Sequence, residues 1–257
     1  MDPRELGSIL ELSIDVAQLA GQCTLGYFGR SPTVTVKQDG SPVTDADRSA
    51  EQLIRERIAR VFPDHGIVGE EFGEKKSPSP GRWILDPIDG THSFICGVPL
   101  YAVLVAFEWQ GEVLSGVIHL PALRETVWAA RGLGCYHDGR RARVSDVDSL
   151  GQARVVHAGA QLMEHSGRGR EFARLIAACG PDRGWSDAYG HALVATGRAE
   201  VALDPVMKIW DVAALVPILA EAGGTLTDWK GRATHTAPEA LATNGKLLGP
   251  VLEVLEG

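Results

Sequence analysis

At 257 residues, 44% of them apolar and 23% charged, the chain is long enough to bury a sizeable core and falls outside the disordered, collagenous and membrane-spanning composition classes. Its formal net charge of -8 argues against nucleic acid or an anionic membrane as a partner, and repels an anionic substrate unless cations reverse the sign locally. The four cysteines, Cys23, Cys96, Cys135 and Cys179, show no C-x-x-C spacing and read as buried free thiols; with no apolar run of spanning length and no basic-then-apolar start, the expected location is the cytoplasm.

Leu6, Ile9, Leu10, Ala17 and Ala20 recur at helical intervals and predict a first helix ending near Gly26 or Gly29. Residues 31–42 are polar, hold two prolines, and read as an exposed loop with a short β patch at 34–36, followed by Lys37. Thr44-Asp45-Ala46-Asp47 has capping-box spacing and opens a second helix, where Asp47 suits the positive end of the helix dipole. A short strand, Ile67-Val68, leads into Gly69-Glu70-Glu71, and residues 75–81 form a loop that, like the one around Lys37, could close over a ligand.

The next stretch, W-I-L-D-P-I-D-G-T at 83–91, joins a buried strand to two carboxylates. Pro87 cannot continue a ladder, so Asp86 is expected at the strand's end, and Gly90 permits a tight turn. Asp86, Asp89 and the Ile88 carbonyl can then face one small volume, an all-oxygen set suited to a hard cation such as Mg²⁺. The same residues also suit an ordinary Asx-type turn.

Residues 101–107, 113–119, 126–130 and 134–136 form an antiparallel meander. Beyond them, strands at 154–158, 201–203, 225–229 and 241–243 alternate with helices at 169–178, 187–194, 210–222 and 246–255. Mixed sheets covered by helices are the expected architecture. Asp211 falls in a first helical turn, where a dipole role also explains it.

Glu70, Asp86, Asp89 and Asp211 share one trait: each sits at the edge of an apolar element. Their convergence would be tolerable only with divalent cations among them, and about two or three Mg²⁺ would turn the cleft into an anion site. G-E-E at 69–71, D-P-I-D-G-T at 86–91, W-D at 210–211 and E-A-G-G at 221–224 together resemble the inositol monophosphatase family of Mg²⁺-dependent phosphatases. The likeness runs from V-T-D-A-D at 43–47 to A-T-N at 242–244.

That resemblance implies an α/β fold, an αβαβα layered sandwich, as a single domain over 1–257 and usually a homodimer. Most metal ligands would lie in the half 1–150 and the substrate-selecting residues in 151–257. It implies that Glu70, Asp86 and the Ile88 carbonyl hold a first metal, that Asp86, Asp89 and Asp211 hold a second, and that a third leans on Glu70. It further implies that Glu70 and Thr91 position the attacking water, with Asp47 paired to the Thr91 hydroxyl. The chemistry agrees, since paired metals can clamp an in-line displacement without a protein nucleophile. Backbone N–H groups of Gly90 and Thr91 are candidates for the phosphate oxygens.

Asp187 and Asp204 depart from what inositol enzymes carry, and an added carboxylate beside the leaving group favours a cationic alcohol. Residues 186–211 are similar to the histidinol-phosphatase branch, which implies a small phosphorylated substrate bound by Asp89, Gly90, Thr91, Ser186, Asp187 and Asp204. Capping of a helix explains Asp187 equally well, and His191, one turn on, reads as packing. The alternatives are an inositol 1-phosphate or broad sugar-phosphate phosphatase, and an inactive binding protein of the same fold.

Overall fold

Asp2 accepts a hydrogen bond from Arg4 N at 3.0 Å and Pro3 takes the first helical position, so α1 (Pro3–Leu25) starts where its sequence prescribes. The computed structural model describes residues 1–30, 33–37 and 40–257; the loop reading of Ser31, Pro32, Gln38 and Asp39 lies outside the described residues. The β patch at 34–36 is β1 (Val34–Val36), paired antiparallel with β2 (Pro42–Thr44). Thr44 then caps α2 (Asp45–Val61), with Asp47 returning the bond as its capping-box partner.

The first sheet is built from β3 (Gly66–Gly69), β4 (Gly73–Lys75), β5 (Gly81–Asp89) and, after the short α3 (Thr91–Ile95), a meander of β6 (Ala102–Trp109), β7 (Glu112–Leu120), β8 (Glu125–Ala130), β9 (Gly134–His137) and β10 (Arg140–Arg141). Its order is β10-β9-β8-β7-β6-β5-β3-β4, antiparallel throughout except for β3 beside β5. The second sheet takes β11 (Val155–His157), then past α4 (Ala160–His165) and α5 (Gly169–Ala178) β12 (Asp182–Arg183), and past α6 (Asp187–Ala195) β13 (Val201–Asp204). After α7 (Ile209–Val212) and α8 (Leu215–Ala222) come β14 (Thr225–Thr227), β15 (Ala240–Thr243) and α9 (Leu248–Glu256). Its order is β12-β11-β13-β15-β14.

Strand alternation sorts the core into layers. Trp83, Leu85, Val105 and Phe107 bury one face of the first sheet against α1 and α2. On the other face Ile84, Leu104, Ala106 and Ile118 meet Ala192 and Leu193 of α6 and Ile218 and Leu219 of α8, which also cover Ala202 and Ala242 of the second sheet. The outer face of that sheet, with Val155, Val201 and Leu241, packs on Phe172 and Leu175 of α5 and Val251 and Leu255 of α9. The result is the αβαβα sandwich expected from the resemblance.

Several details differ from the sequence reading. Strand β5 runs past Pro87 to Asp89, because a bulge absorbs the proline. The helix expected over 210–222 is two, since Pro217 offers no N–H to the Ala213 carbonyl and its ring crowds that group. Helix α4 is an addition. The loop at 75–81 is held away from the site: Lys75 Nζ bonds the Pro63 carbonyl and Ser77 the Asp64 carbonyl, beside the start of β5 rather than its Asp86 end. Cys96 is exposed rather than buried, as it ends α3 at the surface.

The break between α7 and α8 lies backbone-to-backbone on β7. A Cβ on Gly116 would stand 2.1 Å from the Ala214 carbonyl oxygen, against main chain that cannot swing aside. Gly116→Ala is therefore expected to cost about 1–3 kcal/mol, read as a lower urea midpoint at unchanged m; an unaltered midpoint would contradict this packing.

Candidate active site

The site lies where β3, β5 and β13 deliver their C-terminal ends to the starts of α3, α6 and α7. Because β3 and β5 are parallel, with Gly69 opposite Leu85, the chain leaves both strands on one edge, and Glu70 N bonds the Leu85 carbonyl at 3.3 Å. Residues three apart on a strand ordinarily face opposite sides. Here Asp86 pairs with Leu104 but Asp89 with Ala102, so β5 carries one extra residue, and the bulge turns both carboxylates to the same side.

Ile88 anchors this bulge. It is buried with Ala46, Phe94 and Tyr101, its N–H donates to Asp86 Oδ1 at 3.0 Å, and the Thr91 hydroxyl donates to its carbonyl at 3.2 Å. Gly90 adopts φ 83°, and a Cβ there would come within 3.0 Å of Asp187 Oδ2. The position needs glycine for its backbone and for its closeness to Asp187.

From the distant half of the chain Asp211 enters on α7, where its Oδ2 also accepts from Lys208 N at 2.7 Å. The bland capping role and the site role thus coexist. One oxygen from each of Asp86, Asp89 and Asp211 lies within 4.8 Å of the others. Burial, then Glu70, Asp89 and Asp211, pushes the Asp86 carboxyl well above the usual range. Burial, then Asp187 and Asp211, does the same to Asp89, while Asp211 is pushed up to about 7, by burial first. These donors fit a hard divalent cation, being all oxygen, close together and short of positive charge.

Glu70 lines the same cleft but stands outside the tightest cluster, its Oε1 accepting from Lys37 Nζ at 2.7 Å. Lys37 also reaches Glu71 at 2.5 Å. Burial opposes charge on both sides of this contact. Bonds to two carboxylates outweigh it for Lys37, whose ammonium is held above its ordinary range, whereas burial leads at Glu71 and leaves its carboxyl at about 7. The turn carrying Glu70 is fixed from behind by the fully buried Glu51, which accepts from Glu71 N at 2.7 Å and Phe72 N at 3.2 Å. In the sequence Lys37 reads only as part of a loop that could close over a ligand, and Glu51 does not stand out.

Asp187 and Asp204 line the cleft opposite, beside a wall of Ala158, Leu162, Val206 and Met207 that the sequence did not suggest. Asp187 sits at φ 59°, a left-handed position that is uncommon for a residue with a side chain. Burial, then Asp204, pushes its carboxyl up to about 6, against the Ser186 hydroxyl that donates to it. Asp187 is not the cap of α6: Ala188 N donates instead to Asp89 Oδ2 at 2.5 Å, tying the two sides of the cleft together.

Two predicted positions are placed otherwise. Ser186 is outside the cleft lining and serves Asp187. Asp47 Oδ2 accepts from Thr44 N at 2.7 Å and Thr44 Oγ1 at 2.6 Å, and the Thr91 hydroxyl is turned to Ile88, so the Asp47–Thr91 pair implied by the resemblance is not formed. Thr44 lies next to Asp47 in the capping box and satisfies it locally. His191, read as packing, is bonded to Asp204.

Among proteins of known type, the chain is 46% identical over 241 residues to a histidinol-phosphatase of Chlorobaculum parvum, covering 93% of each chain. It is 37% identical to a histidinol-phosphatase of Mycobacterium tuberculosis over 95% of its own length and 96% of the relative's. The crystal structure of the extragenic suppressor protein suhB from Bartonella henselae superposes with a TM-score of 0.91 at 30% identity, over 97% of this chain and 98% of that one. The model of the inositol monophosphatase family matches residues 5–256. A match of that extent, on an αβαβα sandwich with this acidic cleft, makes the chain a member of the inositol monophosphatase family.

Proposed function

We propose that the chain is a magnesium-dependent phosphate monoester hydrolase whose substrate is histidinol phosphate. One observation carries the choice of ester: Asp187 and Asp204 line the cleft in addition to the metal-type cluster, and Asp204 adds to the cost of ionising Asp187. A cationic leaving group relieves that repulsion, whereas a neutral polyol does not. Histidinol bears an amine and an imidazole, and the two relatives named above are histidinol-phosphatases.

Asp86, Asp89, Asp211 and the Ile88 carbonyl, with Glu70, would hold about two magnesium ions, with a weaker third at Glu70. When bound, magnesium supplies an acidified water and positive charge opposite the phosphate oxygens. Glu70 and Thr91 orient the attacking water from the β3 edge and the start of α3. The N–H groups of Gly90 and Thr91, at a helix start without intrahelical acceptors, hold phosphate oxygens. Asp89 fixes the leaving-group side through Ala188 N, and Asp187 and Asp204 attract the amine. Asp47 acts through Thr44, holding α2 in place.

The same reading takes the enzyme as a cytoplasmic homodimer. No helix among the described residues is long and apolar enough to cross a membrane, and the net charge of -8 disfavours nucleic acid. Inorganic phosphate release from histidinol phosphate, inositol 1-phosphate, fructose 1,6-bisphosphate and adenosine 3',5'-bisphosphate at saturating Mg²⁺ tests the substrate. The highest kcat/KM is expected for histidinol phosphate; a higher value for inositol 1-phosphate would overturn the choice.

A further inference from the structure

Helix α6 lies in the middle layer, and Ala188, Ala192, Leu193 and Val194 make it a packing element. His191 interrupts this apolar set at 0% exposure. A buried imidazole in such surroundings is costly unless its polar atoms find partners. Its Nε2 lies 2.8 Å from Asp204 Oδ2, while its Nδ1 has no partner among the described residues.

That asymmetry fixes where the ring proton belongs. On Nε2 it is donated to Asp204; a second proton, on Nδ1, would be a buried donor with nothing to receive it. The imidazole therefore orients the carboxylate through a single bond from Nε2. Asp204, the last residue of β13 and only 4% exposed, lines the cleft, and its Oδ1 has no protein partner among the described residues. One oxygen is pinned from behind and the other is left for the ligand.

We propose that His191 is a positioning residue that aims the charged Asp204 carboxylate at the cationic end of the ester, so that the His191–Asp204 pair selects cationic over neutral leaving groups. The inference rests on the proposed cationic substrate and adds the device by which it is chosen. A fully buried imidazole on a helix otherwise devoted to packing is needed for no layer contact that leucine could not make.

The test uses the full-length protein saturated with Mg²⁺, with KM and kcat measured for histidinol phosphate and for glycerol 2-phosphate, whose alcohol is neutral. In His191→Leu the ratio of the two KM values is expected to move about tenfold against histidinol phosphate, the scale of one hydrogen bond to a charged group, with the change in KM rather than kcat. His191→Gln, which keeps a donor near Nε2, is expected to restore most of the ratio. In an Asp204→Asn background His191→Leu should move the ratio no further.

Equal shifts for the two esters, a glutamine variant as impaired as the leucine variant, or an undiminished effect in Asp204→Asn would each overturn the inference. Should His191→Leu fail to fold, His191→Phe combined with Asp204→Asn decides the same point, since it also removes the donor to Asp204 and the cycle must then show non-additive losses. An unmodified enzyme indifferent to the cation would instead overturn the proposed substrate, and this inference with it. A cation-preferring enzyme with indifferent His191 variants overturns only the inference.

Discussion

Replacing Asp86 by asparagine is expected to raise the melting temperature of the chelated protein while cutting phosphate release by more than about 100-fold, the loss already typical of groups one step removed from a metal. The two effects have one cause. Asp86 is buried, and Glu70, Asp89 and Asp211 all press on its charge. Asparagine has nearly the same shape, and its side-chain oxygen can still accept from Ile88 N, which donates to Asp86 at 3.0 Å. It removes the repulsion and the bulge stays as it is. What it cannot do is offer a divalent cation an anionic oxygen. Differential scanning of the chelated variant, alongside a phosphate-release assay in Mg²⁺, checks both halves. A large fall in melting temperature would show that the carboxylate stabilises the turn, and activity within a few-fold of the parent would remove Asp86 from the site.

The second large effect is a magnesium-induced rise in melting temperature that grows with pH. Asp211 is pushed up to about 7 and Asp187 to about 6, and Asp86 and Asp89 are also raised, in each case by burial first. For a carboxyl raised in the folded state, the folded chain holds more protons than the unfolded one between the ordinary carboxylate range and the raised value. Stability is then fullest on the acid side and is lost as pH rises through about 4 to 7. Magnesium in the cluster removes the penalty, so its benefit is small near pH 5 and full above pH 7. Scanning with and without Mg²⁺ at pH 5.5 and pH 8 should show a gain several degrees larger at pH 8, since about 1 kcal/mol moves a chain of this size by about 2–4 °C. A gain that is flat or falls with pH would mean that the carboxyls are not charged against one another without metal.

The parts of this architecture that local chemistry determines are legible in the sequence. Thr44 and Asp47 form the capping box their spacing implies, and the meander from β6 to β9 follows from alternating apolar residues and turn glycines. The acidic cluster was legible because Glu70, Asp86, Asp89 and Asp211 each end an apolar element, and β3 beside β5 and the bulge at Pro87 bring the first three into one cleft. What escaped depends on partners far away in the chain. Leu162, on α4, and Val206, in the bend after β13, come from separate parts of the second half and meet only at the cleft. His191 sits on a helix whose periodicity is that of a packing element, and nothing in that pattern tells of Asp204 thirteen positions later. The Asp47–Thr91 pair went the other way: a nearer acceptor for the Thr91 hydroxyl, the Ile88 carbonyl, lies within its own turn.

Asp86, Asp89 and Asp211 form a cluster of carboxylates that repel one another unless a divalent cation lies among them. The most direct test is phosphate release from histidinol phosphate by protein stripped with a chelator, followed by stepwise return of Mg²⁺. Turnover absent after stripping and restored by magnesium alone is the predicted result; full turnover in the presence of the chelator would contradict it.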